Sequence, residues 1–187
     1  MFKSNYFKLI MKINKVKFGK KLNLYGIPVI FKKRGSQLNL GENCTIKSSF
    51  LSNLIGLSQR TIIVTRTKEA IIEIGNNVGI SGATIYARKG IKIGDNTLIG
   101  GNVKILDNDF HPLEIEARNA DIKEKIGSRK VEIGENCFVG CNSIILKGSR
   151  IGNGSVIGAG SVVSGIFPDN VVIGGNPAKI IKFLKEQ

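Results

Sequence analysis

The chain has 187 residues and a formal charge of +14 at pH 7, a length that fits one domain and a balance that favours an acidic or anionic partner. Three cysteines argue against a disulfide framework, and no apolar run approaches the roughly 18–20 residues of a membrane span. Lys8 and Lys12 interrupt the apolar residues near the N-terminus, so no secretory leader is expected and the default location is the cytoplasm.

Residues 1–18 place Phe2, Tyr6, Leu9, Ile10, Ile13 and Val16 at helix-like spacing among lysines. Residues 1–34 carry Lys3, Lys8, Lys12, Lys15, Lys17, Lys20, Lys21, Lys32, Lys33 and Arg34 and no acid. Such a segment either packs as a cap over the first coil of the domain or rests on an anionic membrane, at the inner face if the protein is cytoplasmic. Recognition-helix, zinc-finger and base-stacking patterns are missing, so nucleic acid is not the expected partner. Residues 19–71 hold strand-like scraps, including the unit Leu40-Gly41-Glu42-Asn43, and an irregular stretch from Ser48 to Arg60. They are expected to form one or two imperfect coils under a regular region that begins near residue 72.

From Ile72 a six-residue unit repeats. Ile74-Gly75 is followed by Asn77, Ile93-Gly94 by Asn96, and Ile99-Gly100 by Asn102, with a slip of one residue near Lys89-Gly90. The repeat resumes from Val131 to Ser164, with Val or Ile at 133, 139, 145, 151, 157 and 163. A small or medium residue stands two places before each, and Asn or Gly three places after the first five. Alternation places the small residue and the Val or Ile on one face of a short strand, and Asn and Gly tolerate the positive φ of a tight corner. Three such sides close a triangular coil with Val and Ile stacked inside, a parallel β-helix and hence an all-β domain. Its handedness does not follow from the repeat.

Between Ile105 and Val131 the lattice gives way to 25 residues, 106–130, which contain the single histidine, His111, in the sequence Asp107-Asn108-Asp109-Phe110-His111-Pro112. Long loops on rigid scaffolds tend to carry function. After the repeats, residues 165–187 leave the lattice, and Pro177 is placed to open a short C-terminal helix.

The repeated units, the His-bearing interruption and the ending Ile173-Gly174-Gly175-Asn176-Pro177-Ala178-Lys179 resemble the hexapeptide-repeat acyltransferases. Within these the chain looks most like the maltose/galactoside acetyltransferase-like sugar O-acetyltransferases of capsule and O-antigen synthesis. The resemblance implies a left-handed β-helix, a homotrimer and acetyl-CoA bound between subunits. It also implies His111 as general base, which takes the proton of a sugar hydroxyl so that its oxygen attacks the thioester directly.

Asp109 is the candidate to orient that imidazole, by analogy with a carboxylate that holds the second ring nitrogen, or else to bind the acceptor. Asp107 and Asn102 are the candidates for binding the acceptor. By the same resemblance, the backbone N–H of Cys141 would hold the oxyanion. Ala159 and Gly160 would line the pantetheine groove, Phe138 would stack where the family usually has Trp, and Lys179 and Lys182 would bind the phosphates of the coenzyme. No metal is expected, because a zinc carbonic anhydrase on the same prism would need three His ligands and there is one. The outward residues Phe138, Ile144, Val156 and Val162 are too apolar for a lone face and argue for cover by a neighbouring subunit or by the coenzyme. The alternatives are an N-acyltransferase acting on an amino-sugar nucleotide and a non-catalytic β-helix used for binding or structure.

Overall fold

The structure, a computed structural model, describes residues 2–185. Short strands follow one another around three faces. On the first face lie Lys17–Phe18, Gln37–Leu40, Ile71–Ile74, Gly90–Ile93, Val131–Ile133, Arg150–Ile151 and Ile166–Phe167. The second runs from Asn23–Tyr25 to Val171–Gly175, and the third from Val29–Lys32 to Val162–Val163. Every pairing between successive coils is parallel, and the register stacks like on like. Ile63, Ile85, Ile105, Ile145 and Val163 form one column, and Ile80, Ile99, Val139, Ile157 and Ile173 another. All are buried. Each such side chain removed from water contributes about 1.5–3 kcal/mol, which is what closes the prism.

The corners are made as the repeat expects. Between the first and second faces, Asn43, Asn77, Asn96, Asn136 and Asn170 all have φ between +54° and +56°. The amide of Asn43 donates to Asn77 at 2.9 Å, and that of Asn77 to Asn96 at 2.9 Å. The small inward column closes without polar orphans: the hydroxyl of Ser143 donates to Gly158 O at 3.0 Å and that of Ser161 to the same carbonyl at 2.6 Å.

Three features differ from the sequence expectation. The two coils expected below residue 72 are in better register than the sequence suggests: strands from Lys17 onward pair in parallel with the next coil, and Leu38, Leu40, Ile46 and Ile63 of the second coil already supply the inward stack. The irregular segment 48–61 is a loop inserted between the second and third faces of the second coil. The C-terminal segment is no helix: Ala178–Phe183 folds back antiparallel on Val171–Gly175. β-Branched Ile180 and Ile181 suit a strand, and the last coil otherwise leaves an open row of backbone groups.

The expected N-terminal helix is present as α1, Phe2–Ile13. It packs by Phe7 and Met11 over the first coil. The side chain of Phe2, which the sequence pattern assigns to the apolar stripe, lies outside the described residues.

Candidate active site

The strand Lys104–Leu106 completes the third side of its coil, and the chain then leaves the prism before it returns to the first face. Asp107 anchors the departure. Its carboxylate is fully buried and accepts the backbone N–H groups of Arg88 (2.8 Å), Lys89 (2.6 Å) and Gly90 (2.7 Å) and the amide of Asn108 (3.0 Å). Asp107 therefore holds the bend where the repeat slips, and nothing of it remains to meet an acceptor. Asn102 is half-buried and committed to a neighbouring loop at the surface: its oxygen accepts from Ser58 N at 2.9 Å and its amide donates to Gly56 O at 2.9 Å. It ties down the loop 48–61. Both acceptor-binding expectations are thus corrected, since structural hydrogen bonds use the polar atoms assigned to the acceptor.

Beyond Asp107 the chain makes a tight turn. Asn108 accepts the N–H of Phe110, and the N–H of His111 donates to Asp109 O at 2.7 Å. Phe110, at φ +64°, stacks on Tyr86 with ring centroids 4.9 Å apart. This packing presents His111 to solvent. Among the described residues no side chain is hydrogen-bonded to its imidazole. Asp109 does not orient it. The carboxylate of Asp109 is instead paired with the ammonium of Lys147, one coil up, and both side chains are about four-fifths buried. Gly127 lies against this pair, where a Cβ would come within 2.5 Å of the carboxylate and 2.8 Å of the ammonium. The remainder of the loop, with helix α2 (Ile115–Asn119), is held by the bonds of Arg118 to the carbonyls of Pro112 and Leu113 and by the pair Lys125–Glu114 at 2.7 Å.

The coenzyme candidates collect at another corner, between the second and third faces. Cys141 and Ala159 occupy the same position in successive coils, as the backbone bond from Gly160 N to Cys141 O (2.9 Å) shows. At the first–second corner four of the amides in this position are capped by the coil above, while that of Asp95, which has Glu135 above it, is not. Glu42 N donates to Asn76, Asn76 N to Asp95, Glu135 N to Asn153, and Asn153 N to Asp169, each at 2.8 Å. At the second–third corner, among the described residues, the N–H groups of Cys141 and Ala159 donate to nothing. They are open donors on an edge that faces solvent. The signal was in the sequence: the capping slot is Asn or Asp at 76, 95, 153 and 169, with Glu135 as the exception at that corner, and Ala at 159.

Gly160 stands beside Ala159 at this corner, where the resemblance places a groove that leaves no room for a side chain. In this chain no atom lies within 4 Å of a Cβ placed there, and φ +71° is what favours glycine. Lys179 lies opposite Gly174 on the returning strand, and Gly174 approaches Gly158 and Ser161 of the same corner. Lys182 lies further along, opposite Val172, and both lysines are exposed. Phe138 is 47% exposed on the second face, stacked between Leu98 and Val156 in register, beside a groove of about 450 Å³ that Leu98, Gly100 and Ser81 also line. Of the other thiols, Cys44 and Cys137 are buried, and desolvation pushes both above the usual thiol range. Cys141 is only half-buried.

One chain does not bring these groups together. His111 leaves from the third–first corner, while Cys141, Ala159 and Gly160 stand on the second–third corner. A whole face separates them, roughly 15 Å at about 3.3 Å per extended residue.

Comparison with known proteins gives this geometry its context. Residues 130–165 match the family model described as bacterial transferase hexapeptide (six repeats), and residues 90–105 the hexapeptide repeat of succinyl-transferase. The putative lipopolysaccharide biosynthesis O-acetyl transferase WbbJ of Escherichia coli is 31% identical over 88% of this chain and 81% of its own. The chain belongs to the hexapeptide-repeat acetyltransferase family. The galactoside O-acetyltransferase of Lactococcus lactis is 33% identical over 81% of this chain. The chain spans less than two thirds of some relatives, 64% of the Lactococcus protein and 60% of a putative acetyltransferase of Dictyostelium discoideum. A solved galactoside acetyltransferase in complex with coenzyme A superposes with a TM-score of 0.58 at 26% identity, over 95% of this chain and 69% of its own. The winding is that of these relatives, a left-handed parallel β-helix.

Proposed function

We propose that the protein transfers an acetyl group from acetyl-CoA to a hydroxyl of a sugar, in the cytoplasmic synthesis of a surface polysaccharide, at a site shared by two chains of a homotrimer. The observation that carries this reading is the pair of open N–H donors at Cys141 and Ala159, which stand on a different corner from the solvent-facing His111 of the same chain. Two half-sites on separate corners are completed when neighbouring prisms pack side by side around a threefold axis. Exposed Phe138 and half-exposed Ile144, Val156 and Val162 flank the second–third corner and favour such a neighbour. The galactoside and lipopolysaccharide relatives support a carbohydrate acceptor.

In this site acetyl-CoA supplies the activated acyl group. The open corner amides of Cys141 and Ala159 donate to the thioester oxygen or the pantetheine chain. Gly160 leaves room beside them, and Lys179 and Lys182 offer charge to the phosphates. Across the interface the neutral imidazole of His111 accepts the proton of the acceptor hydroxyl as its oxygen attacks the thioester carbonyl. The N–H of Cys141 holds the negative oxygen that develops, and the imidazolium returns its proton to the departing thiolate. No acyl group is passed to the protein.

Free-thiol release from acetyl-CoA over a panel of sugars, amino sugars and lipid-linked oligosaccharides tests the acceptor, and acetylation of amines alone would refute the hydroxyl assignment. Hybrid assembly tests the shared site. His111→Ala and Gly160→Trp should each be inactive alone, the first slowed about 10²–10⁴-fold. Co-refolded, the two variants should regain activity, because some interfaces then pair an intact His111 with an intact corner. Two inactive variants that stay inactive in verified hybrid trimers would mean the site lies within one chain.

A further inference from the structure

Helix α1 uses one face for the prism and leaves a second apolar face uncovered. Phe7 and Met11 point to the core. With 3.6 residues per turn, Tyr6, Leu9 and Ile13 fall on the opposite side, where they are 67%, 55% and 70% exposed. A helix needed only as a cap would carry polar residues there. Basic residues surround the stripe. Lys12, Lys15, Lys17, Lys20 and Lys21 are all exposed at this end of the prism; the first 34 residues contain no acid, and Glu42 of the next coil stands beside Lys20 and Lys21 only.

We propose that α1 is a membrane-surface helix: Tyr6, Leu9 and Ile13 bed into the headgroup boundary of an anionic phospholipid bilayer while the lysines around them face its phosphates. The charge complementarity is one-sided, and the aliphatic stripe selects the occupant. A nucleic acid would use the lysines but offers nothing to bury Leu9 and Ile13, whereas a bilayer accommodates both. The helix is 12 residues long, too short to span and sufficient to lie in the interface. The first coil is thereby held at the lipid surface, and the prism axis points away from it. Binding through α1 is independent of acyl transfer and is read without acetyl-CoA.

Sedimentation with vesicles provides the test. The full chain should partition into vesicles of phosphatidylcholine with phosphatidylglycerol and stay free of phosphatidylcholine alone. Each basic residue at an anionic surface is worth roughly fivefold in partition, so Lys12→Ala with Lys15→Ala should weaken binding about 25-fold. Leu9→Glu with Ile13→Glu should abolish binding while melting temperature and oligomeric state remain those of the parent, since both side chains are exposed. Equal binding to both vesicle types, or binding indifferent to the Leu9 and Ile13 changes, overturns the proposal. So does loss of assembly in the Leu9/Ile13 variant, which would make the stripe a contact between copies. Displacement from vesicles by RNA at stoichiometric amounts, with RNA binding insensitive to Leu9→Glu, would assign the basic surface to nucleic acid instead.

Discussion

Asp107 offers the sharpest test of the geometry, because the sequence assigns it to the acceptor and the structure to the scaffold. Replacing it by Ala removes the acceptor of three backbone N–H groups at 2.6–2.8 Å and of the Asn108 amide at 3.0 Å. The Gly90 bond is buried, so its orphaned N–H should cost the full penalty of about 1–3 kcal/mol. The Arg88 and Lys89 amides are part-buried and water can reach them, which lowers each to about 1 kcal/mol. The total is about 3–5 kcal/mol, a large part of the ~5–15 kcal/mol that stabilises a typical domain. At ~2–4 °C per kcal/mol for a chain of this size, the melting temperature should fall by about 6–20 °C. Asp107→Asn keeps one oxygen but turns an NH2 toward a donor, so it should lose about half as much. Urea and thermal unfolding of the three proteins at one concentration measure this, together with the acceptor KM of the Asn variant. Unchanged stability in Asp107→Ala with a raised acceptor KM would refute the assignment and return the carboxylate to the acceptor site.

Lys147→Ala should free Asp109 and let the His111 turn shift; a displacement of about 1 Å can cost on the order of 10²-fold, so kcat should fall 10- to 100-fold, with partial rescue by Lys147→Arg and acetyl-CoA affinity retained. An unchanged kcat would show that the pair does not position the loop. Lys179→Glu should weaken acetyl-CoA binding about tenfold or more without affecting the melting temperature, as calorimetric titration would show. Native alkylation followed by mass measurement should modify Cys141 and spare Cys44 and Cys137, whose thiols burial holds above their usual range; a Cys141→Ala protein should take up no label and keep most of its activity. The backbone N–H of Asn76 holds the Asp95 carboxyl below the usual carboxylate range, with its side-chain amide adding to the effect. A depressed carboxyl stabilises the fold above its unfolded pKa and loses that contribution as pH falls through its folded value. Asp95→Asn should therefore flatten the acid limb of the stability profile, read from melting temperatures over a pH series.

Much of this protein is legible in its sequence because the fold is written locally. A strand of two or three residues, an Asn at φ near +56° and a small inward residue each need only their neighbours in the chain, so the repeat alone specifies the three-sided coil and its stacked Ile columns. The same locality marks out 106–130 as the excursion and His111 as its single imidazole.

The tertiary structure decided what depends on contacts between coils. Asp109 and Lys147 are 38 residues apart, and an insertion of irregular length lies between them, so no period predicts that they meet. Asp107 and Asn102 look like free polar residues in the sequence, and only the stacking of the bend 88–90 buries the first and that of the loop 48–61 engages the second at the surface. The C-terminal segment is apolar enough for a helix or a strand, and the unpaired edge of the last coil settled it as a strand. On α1 the apolar spacing was evident, yet periodicity alone does not say which of two apolar arcs faces the core. Packing of Phe7 and Met11 on the first coil made that choice and left Tyr6, Leu9 and Ile13 outside.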